Sequence, residues 1–580
     1  MDMVNIKING MDYSVKAGST ILEAAHEVGI DIPTLCYLKD INAIGACRIC
    51  VVEVKGAKSL VAACVYPVNE GMEIFTHSPK VLKSRKMTLE LILSTHERKC
   101  LSCVRGGDCE LQRLCKEFGV EDEGRFDGEN QHYEIDDSAV HMFRNDNKCI
   151  LCRRCIAVCD KYQDVAVIGA NERGFKTHVG CAFDKDLADV SCVSCGQCIT
   201  VCPTGAIAEK DETDKVWEAL ADETKHVVFH TAPSIRVTLG EAFGMPVGTN
   251  VKGKMVAAIR RLGADKVFDT DFSADLTIME EANEFIERVQ NGGTLPLITS
   301  CSPGWIKYCE HKFPEMIPNL SSCKSPQQMF GAVIKTYYAE KNGIDPKDIF
   351  VVAVMPCTAK KFEAGRDDQA AAGVPDTDVA ITTRELARMI KRAGLKFAEL
   401  PDEEFDNPLG ESSGAGAIFG ATGGVMEAAL RTAVETLTGK ELEKLEFTEV
   451  RGTAGVKEAT YNVAGMDVNV AVASGLKNAH ALLDKVKSGE KQYHFIEIMA
   501  CPGGCVNGGG QPVQPASVRN FVDLRGKRAA ALYEEDANLP VRKSHENPMI
   551  KKIYEEYFEK PGSHKAHEIL HTSYVARNRY

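Results

Sequence analysis

The amino-acid sequence predicts a multidomain protein of mixed α+β and α/β class. Its 580 residues are too many for one hydrophobic core, so several domains are expected. Most of its 23 cysteines fall in clusters within residues 1–210, which indicates small units that are dense in possible metal ligands. Beyond about residue 212, short apolar segments alternate with helical patterns, and this alternation is typical of a large α/β domain.

Composition narrows the classes of function. In a chain of this length, CxxC clusters without an export signal favour reduced thiolates that bind metal over a disulfide framework. The sequence has no apolar run of about 18 residues, so no membrane-spanning helix is predicted. It also lacks a twin-arginine or Sec-type segment, which favours a cytoplasmic location. A net charge of −13 disfavours nucleic-acid binding, which requires a basic surface.

The first 140 residues are predicted to contain two small units and a linker. Val4, Ile6 and Ile8 alternate as in a half-buried strand, and a helix is predicted over residues 21–28. Residues 80–125 have apolar side chains at helical spacing. The acidic, polar stretch 121–140 is predicted to be a linker.

Residues 140–211 are dense in cysteine and are expected to form one compact unit. The α/β domain that follows, residues 212–535, should contain buried strands, because its apolar segments are short and continuous. The predicted strands are 226–229, 267–268, 296–299, 349–355, 379–381, 468–472 and 495–499. Residues 536–580 are charged and helical in pattern, and we expect them to wrap around this domain.

The first cysteine group has the spacing Cx10CxxCx13C. One loop can then hold two thiolates together and receive two more from its flanks, which supplies the four donors of a 2Fe–2S cluster. Structural zinc is the alternative. The group consists of Cys36, Cys47, Cys50 and Cys64. It resembles the cysteine pattern of plant-type ferredoxins, and the resemblance implies a β-grasp domain over residues 1–79.

The second group combines one histidine with three cysteines. Its members are His96, Cys100, Cys103 and Cys109. The closeness of the histidine to three clustered cysteines favours a metal ligand over a surface or core histidine, and a neutral imidazole in place of a thiolate should shift the reduction potential. The same arrangement follows a 2Fe–2S domain in complex I large subunits and in large iron-only hydrogenases. We therefore expect a helical domain over residues 80–125 that holds a 4Fe–4S cluster.

Two CxxCxxCxxxC runs follow, in residues 149–159 and 192–202. They resemble the two-cluster bacterial ferredoxins, in which the fourth cysteine of each run binds the cluster of the other run. The resemblance implies one 4Fe–4S cluster on Cys149, Cys152, Cys155 and Cys202, and a second on Cys192, Cys195, Cys198 and Cys159.

Three cysteine-containing segments in the second half each follow a predicted strand. They are TSCSPGW from Thr299, MPCTAKKFE from Met355 and EIMACPGGCVNGGGQP from Glu497. Open α/β sheets bind ligands at the carboxyl ends of their strands, so these segments mark a candidate active site. The glycine-rich run 414–424 lacks the preceding strand and the acidic residue of a nucleotide fingerprint, so no nicotinamide or flavin site is predicted.

The three segments resemble the signature motifs of the iron-only (FeFe) hydrogenases, and the resemblance extends over essentially the whole chain. It implies an H-cluster, in which a 4Fe–4S cubane is joined by a thiolate to a diiron unit that carries CO, cyanide and an azadithiolate. It also implies three accessory 4Fe–4S clusters and one 2Fe–2S cluster. The implied substrates are H2 and protons, and the implied partners are ferredoxin or flavin-containing NAD(P)-linked subunits.

The resemblance also implies roles for individual residues. Cys505 would bridge the cubane and the diiron unit, and Cys357 and Cys501 would bind the cubane. Lys360 would contact a cyanide through a charge-assisted hydrogen bond, and Cys301 would relay protons to and from the bridging amine. The diiron unit would be surrounded by Pro233, Ser234, Gln327, Met355, Phe419 and Met499.

The first motif departs from the family pattern, which has two adjacent cysteines here. Ser302 occupies the position of the second cysteine, which would be the fourth cubane ligand. Ser302 could bind through its oxygen, Cys301 could replace it, or Cys323 could supply the missing thiolate. Cys323 stands where the family pattern has alanine, and this compensating change makes it the expected ligand. The alternative is that Cys323 is a small buried side chain.

One predicted helix carries a candidate proton route. Glu281, Glu284 and Arg288 are spaced i, i+3 and i+7 beside an apolar stripe. On the residues alone, a solvated charged face is the simpler interpretation. The resemblance implies instead that these residues, with Ser321, carry protons between solvent and Cys301.

The predicted function is therefore reversible H2 oxidation, with electrons relayed through the accessory clusters. One alternative is an electron-transfer subunit of a complex I-like or formate dehydrogenase-like assembly, which the three segments of the second half disfavour. The other is a non-catalytic hydrogen sensor or an iron–sulfur assembly factor. The assembly factor is disfavoured by the diiron surroundings listed above and by Cys301 and Lys360.

Overall fold

The computed structural model describes residues 2–121, 124–463 and 465–578. The N-terminal region is a five-stranded sheet, in the order β2-β1-β5-β3-β4, packed against one helix. Thr20 and Glu23 form a reciprocal capping box, which begins the helix where the sequence predicts it. The elements are β1 (Met3–Ile8), β2 (Met11–Lys16), α1 (Ile21–Glu27), β3 (Val51–Val54), β4 (Val61–Ala62) and β5 (Glu73–Phe75).

The next unit contains the helices α2 (Pro79–Ser94) and α3 (Glu110–Glu117). Leu89 of α2 and Leu114 of α3 are fully buried in a small core that also includes Leu35 and Ile49 from the N-terminal region. The first cysteine-bearing loop and the His96 segment are therefore packed against each other. The predicted linker contains neither helix nor strand in the residues described.

The two CxxCxxCxxxC runs lie on a pair of short helices that pack together. Each run ends in or directly after its helix, so the fourth cysteine of one run is brought towards the first three of the other. The elements are β6 (Met142–Arg144), α4 (Arg154–Lys161), β7 (Ile168–Asn171), β8 (His178–Cys181), α5 (Gln197–Val201) and β9 (Ile207–Glu209), with β6 paired to β9 and β7 to β8.

The second half of the chain contains two four-stranded sheets flanked by helices. The first sheet has the order β11-β10-β13-β14 and is entirely parallel. Its strands are β10 (His226–Thr231), β11 (Lys266–Asp269), β13 (Ile349–Met355) and β14 (Val379–Thr382). The second sheet has the order β12-β17-β16-β15, and only the β15–β16 hairpin is antiparallel. Its strands are β12 (Leu297–Ile298), β15 (Val456–Val463), β16 (Met466–Ser474) and β17 (Phe495–Met499).

The helices of this half connect and cover the two sheets. The longest of them, α8, starts directly at the end of β11, where the side chain of Asp269 caps it. The helices are α6 (Thr213–Ala221), α7 (Lys252–Leu262), α8 (Thr270–Asn291), α9 (Pro303–Lys312), α10 (Pro326–Val333), α11 (Ala339–Asn342), α12 (Ala359–Ala364), α13 (Thr383–Arg392), α14 (Gly414–Ala417), α15 (Gly424–Thr438), α16 (Leu476–Lys487), α17 (Ala516–Arg519), α18 (Leu524–Asn538), α19 (Pro548–Ile553) and α20 (His564–Leu570).

The C-terminal segment packs against the large α/β domain over a large part of its length. Ile550, Ile553 and Leu570 are buried in the same apolar cluster as Phe272 of α8 and Phe330 of α10. The segment therefore completes this core rather than forming one of its own. In the described part of the chain, no helix combines the length and the apolar character needed to cross a membrane.

The second cysteine run, in residues 192–202, packs directly on the large α/β domain through glycines. A Cβ atom on Gly509 would lie 2.1 Å from the carbonyl oxygen of Cys195, so only glycine permits this contact. Nearby, Nε2 of Gln197 donates to the carbonyl of Asn507 at 2.7 Å, and Oγ1 of Thr358 donates to that of Ser194 at 2.7 Å. This close approach joins the accessory region to the motif that contains Cys505.

All seven predicted strands overlap strands of the structure. The sequence reasoning missed β15, whose side chains alternate between exposed and partly buried positions in Val456–Val463. Its polar composition, KEATYN, conceals a strand that is exposed on one face.

Candidate active site

The three cysteine segments of the second half meet around one cavity between the two sheets. They follow β12, β13 and β17, and the ends of β10 and β11 complete the wall. The lining of this cavity is predominantly apolar. It includes Pro233, Gln327, Met355, Phe419 and Met499 from the predicted surroundings of the diiron unit, whereas Ser234 lies behind this wall and accepts a hydrogen bond from Gln511 at 3.3 Å.

Cys301, Cys357, Cys501 and Cys505 all line this cavity. Burial raises the pKa of each thiol, to about 12 for Cys505, and the approach of Lys360 only partly opposes the increase at Cys357 and Cys505. These thiols therefore hold their protons until a cation replaces them. A group of sulfur donors that line one apolar cavity fits an iron–sulfur assembly.

Lys360 supplies the one charged side chain among the described residues that line the cavity. Its Nζ donates to the Ser325 hydroxyl at 2.7 Å, and lies 2.8 Å from Oε2 of Glu363 and 3.3 Å from the carbonyl oxygen of Cys301. Nε2 of Gln327 faces Glu363 at 3.3 Å, but Oε1 of Gln327 is buried without a partner. The cation is thus fixed at the wall, where it can face an anionic ligand.

Sequence reasoning missed Ser325 and Glu363 as partners of Lys360. Glu363 lies three residues after Lys360 in α12, so the i, i+3 spacing in MPCTAKKFE could have indicated the ion pair. Ser325 comes from the loop before α10 and carries no comparable signal in the sequence.

The structure brings Ser302, and not Cys323, to the three cubane-ligand candidates. Ser302 lines the cavity at the start of α9, and its Oγ accepts a hydrogen bond from the amide of Ala500 at 3.2 Å, next to Cys501. Cys323 is absent from the lining and is fully buried in the apolar cluster beneath the C-terminal segment. Its Sγ lies 3.9 Å from Oε2 of Glu284. The expectation that Cys323 replaces the missing thiolate is therefore not supported by its position.

The predicted proton-route residues lie in one region beside the cavity, and Ser321, Glu284 and Arg288 are in direct contact. Oγ of Ser321 donates to Oε2 of Glu284 at 3.0 Å, and Nη2 of Arg288 lies 2.6 Å from Oε1 of the same carboxylate. Glu281 is fully buried near both Ser321 and Cys301. The Ser321 hydroxyl lowers the pKa of Glu281, and the charge of Glu281 raises the pKa of the Cys301 thiol. Ser321 reaches this position because its amide pairs with Ile298 at the end of β12.

Glu281 is the most perturbed carboxyl of this group. Burial, with a smaller contribution from the charge of Glu284, raises its pKa to about 8, while Ser321 and the amide of Ser300 partly offset the increase. Neither carboxyl oxygen of Glu281 has a hydrogen bond of good geometry, although the Ser321 hydroxyl and the Ser300 amide both face this carboxyl. A carboxyl with a pKa near neutrality can both accept and release a proton at physiological pH.

The cysteines of the two CxxCxxCxxxC runs line two small cavities. One is lined by Cys149, Cys152, Cys155 and Cys202, and the other by Cys159, Cys192, Cys195 and Cys198. The fourth cysteine of each run thus lies with the first three of the other. Each cavity has a donor set that fits one 4Fe–4S cluster.

The N-terminal donors are also grouped. The sulfurs of Cys36, Cys47 and Cys64 lie within hydrogen-bonding reach, which lowers the pKa of Cys36, and Cys50 interacts with Cys64 in the same way. Nδ1 of His96 is buried without a hydrogen-bond partner, and burial lowers the pKa of His96 to about 4. A neutral imidazole with a free nitrogen is the form that binds metal.

The raised pKa of Glu281 makes a prediction for stability. The folded protein retains this proton up to about pH 8, whereas the unfolded chain releases it near 4.5, so the contribution of Glu281 to stability falls as the pH rises through this interval, by up to about 5 kcal/mol. The Glu281→Gln variant lacks this loss. We expect the difference in melting temperature, variant minus wild type, to increase from pH 5 to pH 9 in thermal unfolding.

Glu287→Gln is the matched control, because Glu287 is an exposed glutamate on the same helix. Its difference from the wild type should not change with pH. A difference for Glu281→Gln that is equally constant between pH 5 and pH 9 would contradict the raised pKa.

Protein-family models match five segments of the chain. The model of the iron only hydrogenase large subunit, C-terminal domain, matches residues 225–509, and that of the iron hydrogenase small subunit matches residues 522–577. A 2Fe-2S iron-sulfur cluster binding domain matches residues 1–79, the NADH-ubiquinone oxidoreductase-G iron-sulfur binding region matches residues 85–123, and a 4Fe-4S dicluster domain matches residues 148–206.

Similar proteins cover the whole chain. It is 50% identical to the NADP-reducing hydrogenase subunit HndD of Solidesulfovibrio fructosivorans over 100% of both chains. It is 46% identical to iron hydrogenase 1 of Clostridium pasteurianum over 99% of this chain and 100% of that one. The solved structure of an apo FeFe-hydrogenase HydA1 from Chlamydomonas reinhardtii superposes with a TM-score of 0.58 at 44% identity, over 64% of this chain and 100% of that one. The chain therefore belongs to the iron-only hydrogenases, enzymes that interconvert H2 with protons and electrons, and its accessory iron–sulfur domains relay the electrons.

Proposed function

We propose that this chain is the hydrogen-converting unit of a redox system that exchanges electrons with ferredoxin or with a flavin-containing NAD(P)-linked partner. The observation that carries the proposal is the single apolar cavity in which Cys301, Lys360 and the candidate ligands Cys357, Cys501 and Cys505 meet. The relative from Solidesulfovibrio fructosivorans, named as a subunit of an NADP-reducing hydrogenase, supports the choice of partner. No nucleotide fingerprint was predicted in this chain, so a partner would supply that site.

We further propose the complete set of cofactors. When bound, the H-cluster supplies the iron at which H2 is formed and split. The accessory set would be three 4Fe–4S clusters and one 2Fe–2S cluster on the cysteine groups and His96 described above. It would be carried by a β-grasp domain (1–79), a helical domain (80–125) and a two-cluster domain (140–211), ahead of the catalytic domain (212–535) and the C-terminal segment (536–580). Because so many free thiols require a reducing compartment, we propose a cytoplasmic location.

The proposed proton route uses titratable groups in sequence. Cys301 holds a proton on Sγ, because burial and the nearby carboxylates raise the pKa of its thiol. Glu281 exchanges that proton, and the Ser321 hydroxyl passes it to Glu284 over 3.0 Å. Arg288 remains charged and orients the Glu284 carboxylate near the surface through a 2.6 Å ion pair.

The proposed electron route begins at the contact between the catalytic and accessory halves. The 192–198 loop carries three donors of one 4Fe–4S site, and it packs directly on the glycines that follow Cys505. That site adjoins the second 4Fe–4S site through the packed helices α4 and α5. From there the route can continue either to the 2Fe–2S site or to the His96 site.

We propose Ser302 as the fourth ligand of the cubane, through its hydroxyl oxygen. Ser302 occupies the ligand position of the motif and also lies in the cavity lining. Its hydroxyl accepts a hydrogen bond from the amide of Ala500, next to Cys501. Cys301 also lines the cavity, but the proton route requires its thiol. An oxygen donor is harder than a thiolate, so we expect a cubane that is held less firmly than on four cysteines.

Infrared spectroscopy tests the proposed active site. Protein produced with the maturation enzymes should show the stretching bands of metal-bound CO and cyanide. Cys505→Ala should lose these bands, because the proposed bridge to the diiron unit is removed. Cys309→Ala, which removes a buried thiol outside the cavity, should retain them. Matured wild-type protein without such bands would refute the proposal.

The proton route predicts large effects from two isosteric changes. Glu281→Gln and Glu284→Gln should each lower H2 evolution from reduced methyl viologen by about 10²–10⁴-fold, because each removes a titratable relay. The infrared bands should be unchanged, which would show that the active site is loaded. Glu287→Gln, on the same helix but exposed, should retain full turnover. Full turnover in both relay variants would exclude the route.

The ligand proposal is tested without activity, on protein produced without the maturation enzymes. Ser302→Ala should lower the iron content by up to about four per chain and weaken the cubane signal in electron paramagnetic resonance (EPR), whereas Ser302→Cys should retain both. Cys323→Ala and its control Cys309→Ala, both buried thiols, should match the wild type. Loss of the cubane in Cys323→Ala alone would instead assign the ligand to Cys323.

A further inference from the structure

Three charged side chains from separate segments meet at the boundary of the accessory units. Arg154 in α4 is completely buried, and its Nη1 lies 3.2 Å from each carboxylate oxygen of Glu110. Nη2 of Arg519 in α17 lies 3.0 Å from Oε1 of the same carboxylate. We call Arg154, Glu110 and Arg519 the charge cluster. In it, two guanidinium groups share one carboxylate.

The charge cluster has an excess of positive charge and unused donors. Nε and Nη2 of Arg154 and Nε of Arg519 are buried without an acceptor among the described residues. Burial and the proximity of Arg154 lower the pKa of Arg519 to about 10, although Glu110 opposes this. Buried cations with unpaired donors are costly unless a negative group compensates them. Arg105, which also faces Glu110 and Arg519, adds to the excess.

The charge cluster lies beside the first 4Fe–4S site and the 2Fe–2S site. Arg154 belongs to the same run as Cys152, and its charge lowers the pKa of that thiol against the larger effect of burial. Its charge also interacts with Cys47 of the 2Fe–2S group. Nδ2 of Asn42 donates to the carbonyls of Cys36 at 2.7 Å and of Cys152 at 3.1 Å, which joins the two sites directly.

The third neighbour is the unit that contains His96. Glu110 directly follows Cys109, and its amide donates to the carbonyl of Pro203 at 3.1 Å. Sγ of Cys109 lies 3.6 Å from the same oxygen, and Pro203 directly follows Cys202 of the first 4Fe–4S site. The charge cluster is therefore at the junction where the electron route divides.

We propose that Arg154, balanced by Glu110, sets the reduction potentials of the 4Fe–4S cluster on Cys149, Cys152, Cys155 and Cys202 and of the neighbouring 2Fe–2S cluster. The inference rests on the cluster assignments of the proposed function. Reduction adds one electron to a cluster that is already negative, so a nearby buried cation favours the reduced state and a buried carboxylate disfavours it. The electrons come from H2 oxidation. The balance between the charges of Arg154 and Glu110 determines how these electrons are distributed between the 2Fe–2S site and the His96 site.

The test is an EPR-monitored redox titration of the full-length protein with its clusters assembled. Arg154→Gln should shift the potentials of both clusters to more negative values, whereas Glu110→Gln should shift them to less negative values. Arg154→Lys preserves the charge and should remain near the wild type. Arg113→Gln removes an exposed positive charge from α3, the helix that begins at Glu110, and should have little effect, because solvent screens that charge. The 2Fe–2S signal can be followed separately, since it persists at temperatures at which the 4Fe–4S signals broaden.

Opposite shifts in Arg154→Gln and Glu110→Gln distinguish an electrostatic role from a structural one. Unchanged potentials in both variants, or shifts of the same sign, would overturn the inference. If Arg154→Gln assembles less iron than the wild type, the sign of the shift in Glu110→Gln decides. Missing cluster signals in the wild-type protein would instead refute the proposed cofactor assignments and not the role of the charge.

Discussion

Burial of ionisable groups that the protein itself leaves uncompensated is the constraint on which the rest of the structure depends. The thiols around the cavity keep their protons because burial outweighs the attraction of Lys360, the one charged side chain among the described residues of the lining. A protonated thiol is neutral and can stay buried, but it must lose its proton before it binds metal. Binding of iron at these loops is therefore coupled to the release of protons.

The two sheets bring the cysteines of the cavity together, although no long-range pattern in the sequence relates these cysteines to one another. Cys301, Cys357 and Cys501 are far apart in the chain, but each follows a strand whose carboxyl end faces the same cavity. The backbone contact of Gly509 with Cys195 then fixes the distance between this cavity and the nearest accessory site. The position of the site is thus determined by the ends of the strands and by one close glycine contact. The loops between these elements do not determine it.

Much of this could be predicted from the sequence, because local spacing encodes it. The four accessory cysteine groups and all seven strands were accessible from patterns of a few residues. What the sequence could not give was the direction of a side chain within the fold. Cys323 was expected to compensate for Ser302, yet it is buried in the same apolar cluster as Phe272 and is absent from the cavity lining. The Gly508–Gly510 run closely approaches the backbone of Cys195 and Pro356, a contact that the glycine-rich pattern alone does not specify.

The contrast between Ser302 and Cys323 shows why compensation must be judged in space. A ligand is replaced only by a donor that can reach the same metal, and Cys323 is held away by Glu284, by the pairing of its backbone with His571, and by the core around it. Moving its sulfur to the cavity would unpack the C-terminal segment from α8 and α10. If Ser302 is the fourth ligand, as proposed above, its oxygen costs bond strength at one iron, whereas recruiting Cys323 would require the core to be rebuilt. The proposed ligand is thus the residue whose position already suits the cavity, and Cys323 stays a buried thiol beside Glu284.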